Sequence, residues 1–123
     1  MHACIKYQDR IKGIILENTF TSIKDVAIDL VPLIFRPLAH ILLFLTLTNR
    51  WKSINLIKDV RIPVLFVKSV KDELIPIKQM NELSDRCESR HYEYVIEDGT
   101  HNETWILNTE EYFQQFGLFF SRL

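Results

Sequence analysis

Nearly continuous apolar runs alternate along this chain with stretches whose apolar residues recur every three or four positions. Residues 11–17 (IKGIILE) and 62–67 (IPVLFV) have the form of parallel strands covered on both faces. Residues 92–96 alternate Tyr92, Tyr94 and Ile96 with Glu93 and Val95, the two-residue period of a further strand. Ser22 with Asp25 three residues on resembles a capping box, opening a helix that carries Val26, Leu30 and Leu33 or Ile34. Pro32 and Pro37 divide the next stretch into short helices, and residues 38–47 are apolar nearly all round. Trp51, Ile54 and Ile57 recur every three residues within 50–60 and predict a short helix. Residues 68–73 read as a polar turn. Pro76 then enters the first turn of a helix whose apolar face is Ile77, Met80, Leu83, Ser84 and Cys87. Asp98-Gly99 marks a turn, and Thr109 opens a closing helix with Tyr112, Phe113, Phe116, Phe119 and Phe120 on its buried side.

A strand, a helix and a strand within about 35 residues form a βαβ unit, whose parallel strands usually neighbour each other. Loops leaving the C-terminal ends of such strands gather on one edge of the sheet, where ligands bind. One loop carries Asp72 and the next carries His101, so the two are expected to be neighbours. A carboxylate beside a histidine accepts the Nδ1 proton, fixes the tautomer and stabilises the imidazolium formed when Nε2 takes a proton. Histidine suits that work because its ordinary pKa of about 6.5 lets it act in both directions near neutrality. The plainer reading is that Asp72 caps the helix at Pro76 and His101 is an ordinary loop histidine.

Composition narrows the classes. The length of 123 residues suits one domain, and 47% hydrophobic with 25% charged residues is the profile of a packed chain. Fifteen basic against sixteen acidic side chains give no global field for nucleic acid or an anionic membrane. Cys4 and Cys87 cannot make a disulfide framework, and Cys87, His91 and His101 fit no common zinc spacing; no metal or cofactor is expected. There are no repeats, and the first dozen residues lack the apolar core of a signal peptide. The longest stretch free of formal charge, 37–49, has 13 residues where a spanning helix needs about 20. Lys71-Asp72-Glu73-Leu74 spells a retention signal that is read only at a free C-terminus, and it lies inside the chain. Asn102-Glu103-Thr104 is a glycosylation sequon whose use depends on compartment, and His2 and His40 read as terminal and surface residues.

Three segments carry a family resemblance: Leu16-Glu17-Asn18-Thr19-Phe20-Thr21-Ser22-Ile23; Pro63-Val64-Leu65-Phe66 through Lys71-Asp72-Glu73-Leu74-Ile75-Pro76; and Asp98-Gly99-Thr100-His101-Asn102-Glu103-Thr104-Trp105. Together they resemble the α/β-hydrolase superfamily, in particular the α/β-hydrolase domain-containing 13 group with its yeast and plant relatives. The resemblance covers nearly the whole chain and is weakest over 28–48. It implies an α/β fold: the C-terminal half of an α/β hydrolase, with about three parallel strands, flanking helices and an apolar helical cap at 18–61 inside one partial domain, 1–123. It implies that Asp72 is the acid and His101 the base of a catalytic triad, in the chain order Ser, acid, His. It further implies that full-length relatives are tethered to a membrane by an N-terminal segment.

The triad's first place is empty. These hydrolases carry their nucleophile in a Gly-X-Ser-X-Gly elbow, and the chain's three glycines, Gly13, Gly99 and Gly117, make no such motif. Ser69 belongs to the acid's own loop, Ser22 serves as a helix cap, and Cys4 lacks an elbow glycine, so none is expected to substitute. The expectation is a chain with acid and base but no nucleophile or oxyanion hole, inactive alone. Its parent would hydrolyse ester, thioester or amide bonds of an acyl or lipid-like substrate, with the apolar cap as pocket or as plain core. The alternative is a non-catalytic binding or scaffold module using the apolar cap as a partner surface. The first strand would leave an unpaired edge, from which self-association is expected.

Overall fold

The computed structural model describes residues 1–47 and 51–123. The elements run α1 (His2–Lys6), β1 (Ile14–Glu17), α2 (Ile23–Asp29), a 3-10 turn (Leu33–Phe35), α3 (Arg36–Thr46), α4 (Ser53–Leu56), a second 3-10 turn (Ile57–Asp59), β2 (Val64–Ser69), α5 (Ile77–Asp85), β3 (His91–Ile96), α6 (Thr104–Leu107) and α7 (Thr109–Phe120). The strands form one parallel sheet in the order β1-β2-β3, with Ile14 beside Val64 and Val64 beside His91. Consecutive strands are therefore neighbours, as the βαβ pattern requires.

Every residue of β2 is buried, because both its edges are paired and both its faces are covered. On one face Val64 and Phe66 meet Cys4, Ile57, Val60, Met80, Leu83 and Cys87; on the other Leu65 and Val67 meet Ile96, Tyr112 and Phe119. This is a helix–sheet–helix sandwich whose core is centred on β2.

Four local expectations are corrected. The first strand starts at Ile14, because residues 7–11 close a turn in which the Tyr7 carbonyl accepts from Arg10 and Ile11. The second runs two residues further than the apolar run, so Lys68 and Ser69 lie in the sheet and not in a turn. Lys68 tolerates burial because its ammonium donates to Asn81 Oδ1 (3.0 Å), Ser84 Oγ (2.8 Å) and Glu93 Oε1 (2.7 Å). Pro37 sits in the first turn of α3 and starts that helix, whereas Pro32 does separate it from α2. On α7 only Tyr112 and Phe119 are buried, seven residues apart on one stripe, while Phe113 and Phe120 are exposed.

Helix α2 begins as expected: Ser22 Oγ accepts from the Asp25 N–H at 3.1 Å. The reciprocal half differs from a capping box, since Asp25 Oδ2 takes the hydroxyls of Ser22 (2.6 Å) and Thr21 (2.7 Å). The helix expected over 50–60 is α4 with the 3-10 turn after it; the first residue of that stretch lies outside the described residues. Among the described residues no helix is long and apolar enough to cross a membrane.

Candidate active site

Three loops meet where the parallel strands end, and a buried asparagine ties them. Asn18 follows β1 with φ at 40°, a left-handed conformation that asparagine tolerates better than most residues. Its N–H continues the ladder to the Val67 carbonyl at 3.2 Å. Its Oδ1 accepts the Ser69 N–H (3.1 Å), and its Nδ2 donates to the carbonyls of Thr100 (3.3 Å) and His101 (3.1 Å). One side chain thus joins the ends of β1 and β2 to the histidine loop.

The acid loop follows β2. Asp72 Oδ1 accepts the N–H groups of Leu74 (2.9 Å) and Ile75 (2.8 Å), which holds the turn ahead of α5. Asp72 Oδ2 lies 2.8 Å from His101 Nδ1. The carboxylate therefore does both jobs, one oxygen for the turn and one for the imidazole. The aspartate side chain is 1% exposed and the histidine side chain 24%, so the ring is reachable while its partner is not. Because a carboxylate oxygen accepts, Nδ1 is the donor, and the neutral ring keeps its lone pair on Nε2.

The histidine loop can approach because residue 99 is glycine. A Cβ there would stand 2.8 Å from Ser69 Oγ and about as close to Ile96. Backbone bonds from Lys71 to the Gly99 carbonyl (2.9 Å) and from Val70 to the Ile96 carbonyl (3.1 Å) lock the acid and histidine loops together. Beyond His101, the Thr104 hydroxyl donates to Glu17 Oε1, and the Tyr112 hydroxyl donates to Glu17 Oε2 at 2.7 Å. Burial, then the bond to Glu17 and its negative charge, push the Tyr112 phenol well above its ordinary pKa, so it remains a donor. These contacts anchor the far side of the loop to the end of β1.

Other chemically capable side chains lie elsewhere. Ser22 is occupied as the α2 cap. Ser69 is the last residue of β2, and its buried Oγ has no hydrogen-bond partner among the described residues. Cys4 faces the core from α1, and burial, opposed by the N-terminal charge, raises its thiol pKa; that disfavours the thiolate. His91 is the first residue of β3 and Cys87 lies in the connection between α5 and β3, at the end of the sheet opposite His101. Among the described residues no hydroxyl or thiol bonds the His101 ring, and no cluster of His, Cys, Asp and Glu could hold a metal ion.

Asn18, Gly99 and Lys68 escaped the reading by periodicity. An Asn directly after a strand run is a signal for a left-handed turn that could have flagged the first. Lys68 shares its strand face with Val64 and Phe66, a parity that could have flagged the third.

The parallel sheet flanked by helices is matched among solved structures by α/β hydrolases, so the chain has part of an α/β-hydrolase fold. The chain is similar to Protein bem46 of Schizosaccharomyces pombe, 39% identical over 89% of this chain and 35% of that protein. It is also similar to Alpha/beta hydrolase domain-containing protein WAV2 of Arabidopsis thaliana, 31% identical over 86% of this chain and 37% of that one. It spans about a third of the length of these relatives. Esterase Pf2001 of Pyrococcus furiosus matches the fold with a TM-score of 0.71 at 14% identity, over 98% of this chain and 48% of that one. No protein-family model matches.

Proposed function

We propose that Asp72 and His101 are the acid and base of a Ser-Asp-His acyl hydrolase whose serine lies outside these 123 residues. The observation that supports this reading is the 2.8 Å contact between a buried carboxylate and a half-buried imidazole. In the complete site His101 Nε2 removes the proton from the serine hydroxyl as its oxygen attacks the acyl carbon. Asp72 stabilises the resulting imidazolium. His101 then gives that proton to the departing alcohol, thiol or amine, leaving an acyl-serine. It next activates water, which releases the acid and regenerates the hydroxyl.

Ester, thioester and amide bonds all fit this sequence of steps. An acyl or lipid-like group is the substrate class, and a cleft of about 260 Å³ between α2, α3 and α4 offers it Leu43, Phe44, Leu47 and Ile54 beside the polar Ser22, Lys24, Asp25, Lys52 and Asn55. The chain alone is then inactive, since nucleophile, base and oxyanion donors must converge. We further propose that β1, whose only strand partner among the described residues is β2, drives self-association through its free edge. A second reading, a non-catalytic module that binds through its exposed apolar helix, is favoured by the exposure of Leu38, Ile41 and Leu45.

A fluorophosphonate probe separates the two. The 123-residue chain remains unlabelled, while a longer polypeptide placing a Gly-X-Ser-X-Gly segment ahead of it is labelled on that serine. The labelling disappears in His101→Ala. Labelling of the short chain, or labelling indifferent to His101→Ala, contradicts the proposal.

A further inference from the structure

His101 meets Asp72 only while its own backbone is held in place, and that hold comes from the end of β1. The loop leaving β3 is fixed as far as Gly99, whose N–H donates to the Ile96 carbonyl (3.1 Å) and whose carbonyl accepts from Lys71 (2.9 Å). It is fixed again at the buried Thr104, through the hydroxyl that donates to Glu17. Between these points the Thr100 and His101 carbonyls accept from no backbone N–H among the described residues. Their donor is the Asn18 side chain, at 3.3 and 3.1 Å. The His101 N–H reaches Glu73 Oε2 only at 3.4 Å, a longer bond to an exposed carboxylate.

The Asn18 amide suits this work because its orientation is decided and its surroundings are dry. The Ser69 N–H needs an acceptor and the two carbonyls need donors, so Oδ1 faces β2 and Nδ2 faces the histidine loop. Asn18 is buried, which makes each of these bonds costly to lose. Asp72 does not supply the same control. Its Oδ1 is committed to the N–H groups of Leu74 and Ile75, which fixes the carboxylate to the turn ahead of α5. The 2.8 Å contact with His101 Nδ1 then depends on where the histidine loop sits. A shift of about 1 Å is enough to spoil a positioned catalytic contact.

We infer that Asn18 is a positioning residue for the base: by donating Nδ2 to the Thr100 and His101 carbonyls, it places the imidazole so that Nδ1 meets Asp72 and Nε2 carries the lone pair. This role rests on the proposed Asp72–His101 pair. It adds a residue from a third strand-end loop, one that acts through the backbone of His101 and not through its ring.

Nitrogen-15 spectra of the full 123-residue chain, taken where the His101 ring is neutral, report the ratio of its Nδ1-protonated to its Nε2-protonated form. Asn18→Asp is the decisive variant. Aspartate also adopts the left-handed conformation and keeps an oxygen for the Ser69 N–H, but it sets the other oxygen against two carbonyl oxygens. The ratio is expected to fall by about fivefold or more in Asn18→Asp and in Asn18→Ala, as the loss of one hydrogen bond implies. Leu83→Ala, a core truncation on the α5 side of the sheet, lowers stability and leaves the ratio unchanged. An Nδ1-protonated ring in the unsubstituted chain with a smaller fall in Asn18→Asp overturns the inference and leaves the Asp72–His101 pair standing. A fall in Leu83→Ala as large as in Asn18→Asp does the same, assigning the effect to general loosening. An unsubstituted chain whose ring is not mainly Nδ1-protonated overturns the pair and the inference together.

Discussion

β2 and α3 are written in much the same apolar residues and end in opposite situations. β2 is buried at every position, while α3 has no fully buried side chain among its described residues. The difference lies in what each element can offer its neighbours. A central parallel strand is paired on both edges and presents two faces to helices, so almost any side chain it carries is enclosed, Lys68 included. A short helix on the outside of the sheet touches the fold along one side only, and the rest of its apolar residues remain on the surface. Hydrophobicity therefore sets the cost of exposure, while topology decides which segment escapes it.

The comparison breaks first at the core. Phe66→Ala should cost about 3–5 kcal/mol in urea unfolding, as large core truncations do. Ile41→Ala on α3 should stay within about 0.5 kcal/mol, as surface changes do. Similar costs at the two sites would mean that α3 is packed after all. Next comes the polar clamp that the sheet side possesses and α3 lacks. Asn18→Ala removes three side-chain hydrogen bonds and leaves buried groups unpaired, so a loss of about 2–3 kcal/mol is expected. Asn18→Gly accepts the same φ without strain and should cost less than the alanine; the reverse order would deny the backbone its part. Ser22→Ala, which uncaps α2 beneath α3, should cost about 1 kcal/mol by the same measurement.

The smallest effect is a pH dependence. Burial alone would raise the Glu93 carboxyl, but its bonds with Lys68 and Ser84 and the Lys68 charge outweigh that and hold it below the ordinary carboxylate value. A depressed folded pKa stabilises the fold above the unfolded value and loses that contribution as pH falls through the folded one. Denaturant midpoints followed down from neutrality should therefore decline less steeply on the acid side in Glu93→Gln. An unchanged acid limb would mean the Lys68–Glu93 pair adds nothing.

Legibility followed the same divide. The strands, their parallel order and the nearness of Asp72 to His101 follow from apolar runs and strand-end loops, because period and connection length leave few topologies. The ends of β1 and β2 did not follow from hydropathy. Ile11 is apolar but caught in a turn, and Lys68 and Ser69 are polar but enclosed by partners distant in sequence. The Asn18 clamp was illegible for a related reason: its partners are at 69, 100 and 101, contacts that only the folded sheet edge creates. On α7 the five aromatics look alike in sequence, and only the sheet's position separates Phe119 inside from Phe113 and Phe120 outside.

The central claim is that Asp72 holds His101 with its proton on Nδ1 and its lone pair on Nε2. Nitrogen-15 spectra of the His101 ring in the unsubstituted chain test it most directly, at a pH where the ring is neutral. The account predicts a single Nδ1-protonated tautomer whose dominance is lost in Asp72→Asn. A ring protonated mainly on Nε2, or one unaffected by Asp72→Asn, would contradict it.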